Sequence, residues 1–272
     1  MSIFAAVGWT FGAMFVAIVF LSVATAIREG ARFDLVTLVF AQMIANGLAL
    51  FGILRLYAPD ASVRELLGFR GTQPLIYPLA LALGVAISPA TSKLLELIFA
   101  RWPRAEASHI DELLLASSPV RQVVIGVLIG GLVPVVEEAF FRGALFAPLR
   151  RFMLGDGSSR ALPPERAAWL AVFATSFLFV TSHVEWQTFA PLAAVAAMMG
   201  VLRYRSGSLL PSILVHVGLN TTSVVMTVFP PPTELVPWSW AIGSAVVSGA
   251  LFAGMLWLAR GARAVEARAA EL

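Results

Sequence analysis

The chain has 272 residues, of which 59% are hydrophobic and 13% charged, with 19 basic side chains against 16 acidic ones and a formal net charge of +3. A soluble domain carries roughly a quarter charged residues, so this composition excludes an ordinary soluble globule, which could not cover its surface with so few charges. Cysteine is absent, which excludes a disulfide framework, a thiol nucleophile and any cysteine-based zinc or iron–sulfur site.

Apolar runs long enough to cross about 30 Å of hydrocarbon follow one another along the chain. The first is Ser2–Ile27, which carries no charge. A cleaved signal peptide is disfavoured there, because no basic stretch precedes the run and a second run follows almost at once. Further runs lie at Leu35–Leu54, Pro74–Ser92, Val120–Leu149, Ala167–Val184, Thr188–Leu202, Ser212–Phe229 and Pro237–Ala259, giving about eight predicted membrane helices. The third run holds Pro78 and Pro89 and the sixth holds Pro191, which membrane helices tolerate when neighbours satisfy the freed carbonyls. Lys93 to Pro119 reads as a long mixed connection lying along the interface. The expected fold is an all-α polytopic membrane helix bundle, a single integral membrane domain over 1–272.

The basic residues stand singly at the ends of these runs. They act as orientation signals, and no nucleic-acid partner is expected. Twelve fall on one side of the eight-span arrangement (Arg55, Arg64, Arg70, Arg150, Arg151, Arg160, Arg166, Arg203, Arg205, Arg260, Arg263, Arg268) and six on the other (Arg28, Arg32, Lys93, Arg101, Arg104, Arg121). The richer side is cytoplasmic by the positive-inside rule, which predicts a multi-pass protein of the inner (cytoplasmic) membrane with both termini cytoplasmic. Trp169 and Trp186, and Trp238, Trp240 and Trp257, bracket the fifth and eighth runs as interfacial anchors would.

Nearly all acidic residues fall in loops or at span ends, but Glu137 and Glu138 lie inside the fourth run with Arg142 one turn further on. Ionisable groups at that depth cost about 2.5–3.5 kcal/mol each on insertion scales, so the three need a compensating arrangement. An i, i+4 pair between Glu138 and Arg142 supplies one, leaving Glu137, about 100° around the helix, to point elsewhere. A purely structural ion-pair cluster is the competing account. Of three histidines, His109 lies in the polar connection, whereas His183 and His216 lie in apolar runs. Phe179 and His183 share a helical face, as do His216 and Asn220.

Three helices therefore carry inward polar groups of complementary chemistry. A buried Glu and a His on one water form a general-base pair, and a carboxylate held ionised by Arg142 takes a different role from its neighbour. His216 and Asn220 are donors of the kind a developing oxyanion needs. Together these describe hydrolysis of a peptide bond within the membrane. Zinc held by Glu137, His183 and His216 is a rival mechanism. A non-catalytic immunity or transport protein, binding a cation or relaying protons at the same cluster, is a rival of another class.

The three motifs Glu137-Glu138-x-x-x-Arg142, Phe179-x-x-x-His183 and His216-x-x-x-Asn220, in that order on successive apolar runs, resemble those of the CPBP family. This is the group of CAAX prenyl endopeptidases, bacteriocin-processing enzymes and lysostaphin-resistance-like proteins, also called the Abi group. Pro134, Phe141-Arg142-Gly143 and the stretch from Arg203 to Pro211 extend the resemblance, which covers 120–229 as a catalytic core. It implies an eight-helix intramembrane glutamate endopeptidase without a cofactor, a family once described as zinc-dependent. In it Glu137 is the general base, His183 its partner and His216 with Asn220 the oxyanion hole, while Glu138, Arg142 and Phe179 support the site. The partners so implied are the lipid bilayer and a peptide or membrane-protein substrate. All but one of the basic residues are arginine, a bias that fits a GC-rich bacterial genome, where peptide processing, self-immunity or membrane-protein cleavage suits such an enzyme better than action on prenylated proteins. Neither the substrate nor the oligomeric state is encoded legibly.

Overall fold

The computed structural model describes residues 1–27, 34–60, 62–103, 109–155, 161–183, 185–230 and 235–269, with the side chains of 109, 110 and 261–269 outside that description. Of the residues used above, Arg28, Arg32, Arg104, Arg160 and Val184 lie outside the described residues, as do the side chains of His109, Arg263 and Arg268. Every regular element among the described residues is helical. In chain order they are α1 (Ile3–Ala26), α2 (Leu35–Tyr57), α3 (Val63–Leu67), α4 (Ile76–Ala86), α5 (Ser88–Arg101), α6 (His109–Leu115), α7 (Pro119–Val127), α8 (Val133–Glu138), α9 (Phe146–Leu154), α10 (Pro164–Thr181), α11 (Phe189–Ser206), α12 (Leu210–Val228) and α13 (Trp238–Ala269).

By length and composition six helical stretches can cross a membrane: Ile3–Ala26, Leu35–Tyr57, Ile76–Arg101, Pro119–Leu154, Leu210–Val228 and Trp238–Arg260. The two other expected spans are α10 and α11, of 18 residues each. Glu165 and Arg166 at the start of α10 and Arg203 and Arg205 at the end of α11 shorten their apolar stretches. The protein is a multi-pass all-α membrane bundle. Its outer surface is apolar, with Phe4, Phe15, Phe173, Trp240 and Trp257 exposed, as a lipid-facing surface must be, whereas Glu137, Glu138 and Arg142 are buried.

The structure corrects the third span. It does not end at Ser92: α4 and α5 form one rod to Arg101, so Leu94, Leu97 and Phe99 belong to the span rather than to an interfacial connection. The joint lies at Ile87, with Pro89 in the first turn of α5. There the hydroxyl of Ser244 accepts from Ala90 N at 3.2 Å and donates to Ala86 O, inserting itself into the helical ladder beside the proline.

Two glycines set where α12 sits. A Cβ on Gly84 would lie 2.1 Å from Val215 O, and one on Gly218 would lie 2.6 Å from Leu81 O. The backbones of α4 and α12 thus touch where neither carries a side chain, the small-residue crossing that lets membrane helices approach closely. On its other flank α12 meets the fourth span at Gly130, where a Cβ would lie 2.8 Å from Thr221 Oγ1. These contacts seat His216 in the bundle interior.

Candidate active site

The fourth span is a continuous 36-residue rod from Pro119 to Leu154, but it is not uniformly α-helical. Wider π-helical turns at Leu128–Leu132 and Ala139–Leu145 bracket α8, which carries Glu137 and Glu138. Pro134 opens α8 and has no N–H, so carbonyls one turn earlier lose their partner in the ladder. They are satisfied from α12 instead. Asn220 Nδ2 donates to Ile129 O at 3.1 Å and Thr221 Oγ1 donates to Gly130 O at 3.4 Å. An apolar groove of about 500 Å³ lies alongside, lined by α7, the first π turn and α12, with Gln122, Gly126, Val217, Thr221 and Val224 on its walls.

Glu138 and Arg142 form the expected pair. Arg142 Nη1 donates to Glu138 Oε1 at 2.7 Å, with both side chains wholly enclosed. Arg142 Nη2 donates to Ala196 O at 3.2 Å, a carbonyl that also accepts from Ser176 Oγ at 3.1 Å. The guanidinium also stacks on Phe179, 4.4 Å from the ring centroid. Glu138 Oε1 takes a second contact from His216 Nδ1 at 3.1 Å, while Glu138 Oε2 and Arg142 Nε are buried without a partner among the described residues.

Glu137 is buried on a different face. Its Oε1 accepts from Gln42 Nε2 on α2 at 2.6 Å, and its Oε2 stands 3.7 Å from His216 Nε2. That gap exceeds a direct hydrogen bond and falls within the reach of one shared water. His216 thus turns Nδ1 to Glu138 and Nε2 to Glu137, so its two ring nitrogens face the two carboxylates.

His183 does not lie within the fifth span. α10 ends at Thr181 and His183 occupies the turn beyond, half-buried. Its Nδ1 bonds the Phe179 carbonyl at 2.8 Å, and its ring packs on Phe179 at 4.6 Å, while Phe179 meets His216 edge-on at 5.6 Å. The structure therefore joins Glu137, Glu138, Arg142, Phe179 and His216 in one contact network, adds His183 through Phe179, and ties Asn220 to the π turn above. The histidine beside Glu137 is His216.

Two contributors escaped the sequence reading. Gln42 anchors Glu137, and its signal was a pair of amides, Gln42 and Asn46, one turn apart in an otherwise apolar run. Arg203 donates Nε to Arg142 O at 3.1 Å; the sequence marks it as an orientation signal and as the start of the stretch leading to Pro211, with no contact to Arg142 implied. Among the described residues no group of three or more His, Asp and Glu is placed to hold a metal ion, so Glu137, His183 and His216 do not come together as a zinc set.

The fold and the site define a polytopic membrane protein with a buried Glu–Glu–Arg–His network. Residues 119–222, from the first residue of α7 to the turn after Asn220, match the family model described as Type II CAAX prenyl endopeptidase Rce1-like, the family grouping that the three motifs resemble. A curated relative, an uncharacterized 24.3 kDa protein of Escherichia coli, is 34% identical over 116 residues, which make up 41% of this chain and 48% of that protein. The chain thus spans about half the length of the curated relative it matches. No solved structure matches the chain.

Proposed function

We propose that the protein is an intramembrane endopeptidase in which Glu137 activates water for attack on a peptide bond. One observation carries this reading: a buried carboxylate, fixed through one oxygen by Gln42, faces His216 across 3.7 Å through the other. A water held there donates one proton to Glu137 Oε2 and is oriented by the imidazole. Glu137 accepts that proton as the oxygen attacks the scissile carbonyl carbon. The tetrahedral oxyanion that forms is met by donors. Asn220 gives one amide N–H to Ile129 O and has a second for this purpose, and His216, which in this scheme enters the reaction with a second proton already taken from solvent and keeps it throughout, donates through Nε2. Glu137 then returns its proton to the leaving amine as the carbon–nitrogen bond breaks.

In this scheme Glu138, paired with Arg142, orients His216 through Nδ1. Phe179 supports both histidines, and His183, its Nδ1 fixed on the Phe179 carbonyl, presents Nε2 as a second holder of the water. No cofactor enters the scheme. The substrate is a peptide or a membrane protein, and the groove between α7 and α12 suits an apolar portion of it. The protein would lie in the inner membrane with both termini on the cytoplasmic side.

The test is a comparison of the membrane proteome of cells carrying the wild type with that of cells carrying Glu137→Gln at equal abundance. Peptides whose new termini depend on the carboxylate would identify proteolysis and substrate together. Identical termini under several growth conditions would refute the reading and favour a binding or immunity role.

A further inference from the structure

A second polar cluster lies at the end of the bundle where α9 and α11 finish, and the reaction scheme leaves it unused. Arg203 is buried. Its guanidinium lies over the Phe146 ring, 5.6 Å from the centroid, and packs against Gly68, where a Cβ would clash with it. Gly68 has φ of +74°, so this close seat depends on a residue with no side chain. The segment carrying it is locked in place by Leu209 N donating to Gly68 O at 2.8 Å and Ser208 Oγ donating to Arg70 O at 2.6 Å.

The surroundings of this guanidinium are cationic. Arg70 follows Gly68 by two residues, with its carbonyl held by Ser208, and the guanidinium of Arg150 lies over the ring of Tyr204, the neighbour of Arg203, 5.9 Å from the centroid. Among the described residues no acceptor takes a hydrogen bond from its Nη1 or Nη2, and Arg150 Nε is buried without a partner. The nearby carboxylate of Glu165 is committed elsewhere, accepting from Tyr204 Oη at 2.8 Å, Arg205 Nη2 at 2.7 Å and Trp169 Nε1 at 3.3 Å. Two like charges held beside a buried guanidinium repel it, and an anion among the three relieves that repulsion. Planar guanidinium groups match tetrahedral phosphate oxygens in paired hydrogen bonds.

We propose that Arg70, Arg150 and Arg203 form a binding site for a phosphate group, supplied by the headgroup of an anionic phospholipid. The lipid source is favoured by the setting. Trp169 is exposed, and Arg205 stacks on it and on Tyr204, the ring that Arg150 also covers, which is the aromatic belt of a membrane interface. The site is separate from the proposed reaction, although Arg203 also donates to the Arg142 carbonyl, so an occupied site would brace the turn that carries Arg142.

The experiment uses the purified full-length protein in neutral detergent, titrated with phosphatidylglycerol, phosphatidylcholine or inorganic phosphate while thermal midpoint and retained lipid are followed, the latter by native mass spectrometry. Phosphatidylglycerol should raise the midpoint and stay bound where phosphatidylcholine does neither. Arg70→Gln with Arg150→Gln should weaken retention roughly tenfold or more, whereas Arg55→Gln, a basic residue stacked on Phe51 away from the cluster, should leave it unchanged. An equal midpoint shift from inorganic phosphate, lost in the same double variant, would keep the phosphate site and reassign its source to the free anion. Equal behaviour of the two lipids with no phosphate effect would overturn the proposal, and that result requires no folded variant. A double variant that stays folded and retains phosphatidylglycerol as well as the wild type would overturn it too.

Discussion

Arg142 Nη1 lies 2.7 Å from Glu138 Oε1 with both side chains wholly enclosed, so each charge depends on the other for its place in the bundle. Removing one leaves the other buried and uncompensated, at a cost of about 3–5 kcal/mol. Arg142→Leu should therefore lower the unfolding midpoint in detergent sharply, and Glu138→Gln combined with Arg142→Leu should recover part of the loss. A single variant as stable as the wild type would show that the pair is not the structural keystone of α8.

Glu137→Gln should leave the fold intact, because the amide retains the size of the carboxylate and half of its acceptor capacity. Proteolysis should fall by a factor of about 10²–10⁴ or more, the range general-base catalysis supplies. The assay is product formation from a substrate identified by its carboxylate-dependent terminus, alongside thermal unfolding of both proteins.

Gln42→Leu removes the 2.6 Å donor to Glu137 Oε1 without touching the histidines. A lost hydrogen bond to a charged group is worth about 1.5–3 kcal/mol, so kcat should fall by roughly tenfold to a hundredfold. KM should change little, since Gln42 acts through the base. Gln42→Glu should be worse, because it sets a second carboxylate against the first.

Asn220 and Thr221 separate catalysis from architecture. Both reach carbonyls of the first π turn, so Thr221→Val should cost about 1 kcal/mol of stability with turnover intact. Asn220→Ala should cost a similar stability and lower kcat by a further factor of about 10²–10³, the value of an oxyanion donor. Equal kinetic effects from the two variants would assign Asn220 to the helix contact alone.

Hydropathy located the membrane helices to within a few residues wherever charges punctuate the ends, as at Ile27, Leu54 and Ala259. It misplaced the end of the third span because Lys93 and Glu96 looked like a loop, yet they pair with each other at 2.7 Å on one helical turn and so travel with the helix. The i, i+4 spacing of Glu138 and Arg142 foretold their contact, since both partners lie on one element. Their neighbours Gln42 and Ala196 come from other helices, and no local spacing encodes them. His183 was read as a membrane residue because Val184 extends the apolar run; the helix stops earlier, and the imidazole turns back to cap the Phe179 carbonyl. The arginines were legible as a count on one side of the membrane, while their convergence on Arg203 depends on Gly68 folding against α11.

The π turn at Leu128–Leu132 acts as a phase shifter. An α-helix advances about 100° per residue, and each wide turn holds one residue more than an α turn does, so the two halves of the fourth span present different azimuths to the bundle. Val120, Val123 and Val127 on α7 look outward, while Phe146 and Leu149 on α9 are buried. Deleting Gly131 lets this wide turn close as an ordinary α turn and leaves both halves in place, whereas adding one residue to α8 keeps the hydropathy of the span and swings the carboxylates by about 100°, parting Glu137 from His216. Chain length within α8 is therefore as tightly specified as the identity of the acids it carries, while the wide turn before it can give up its extra residue.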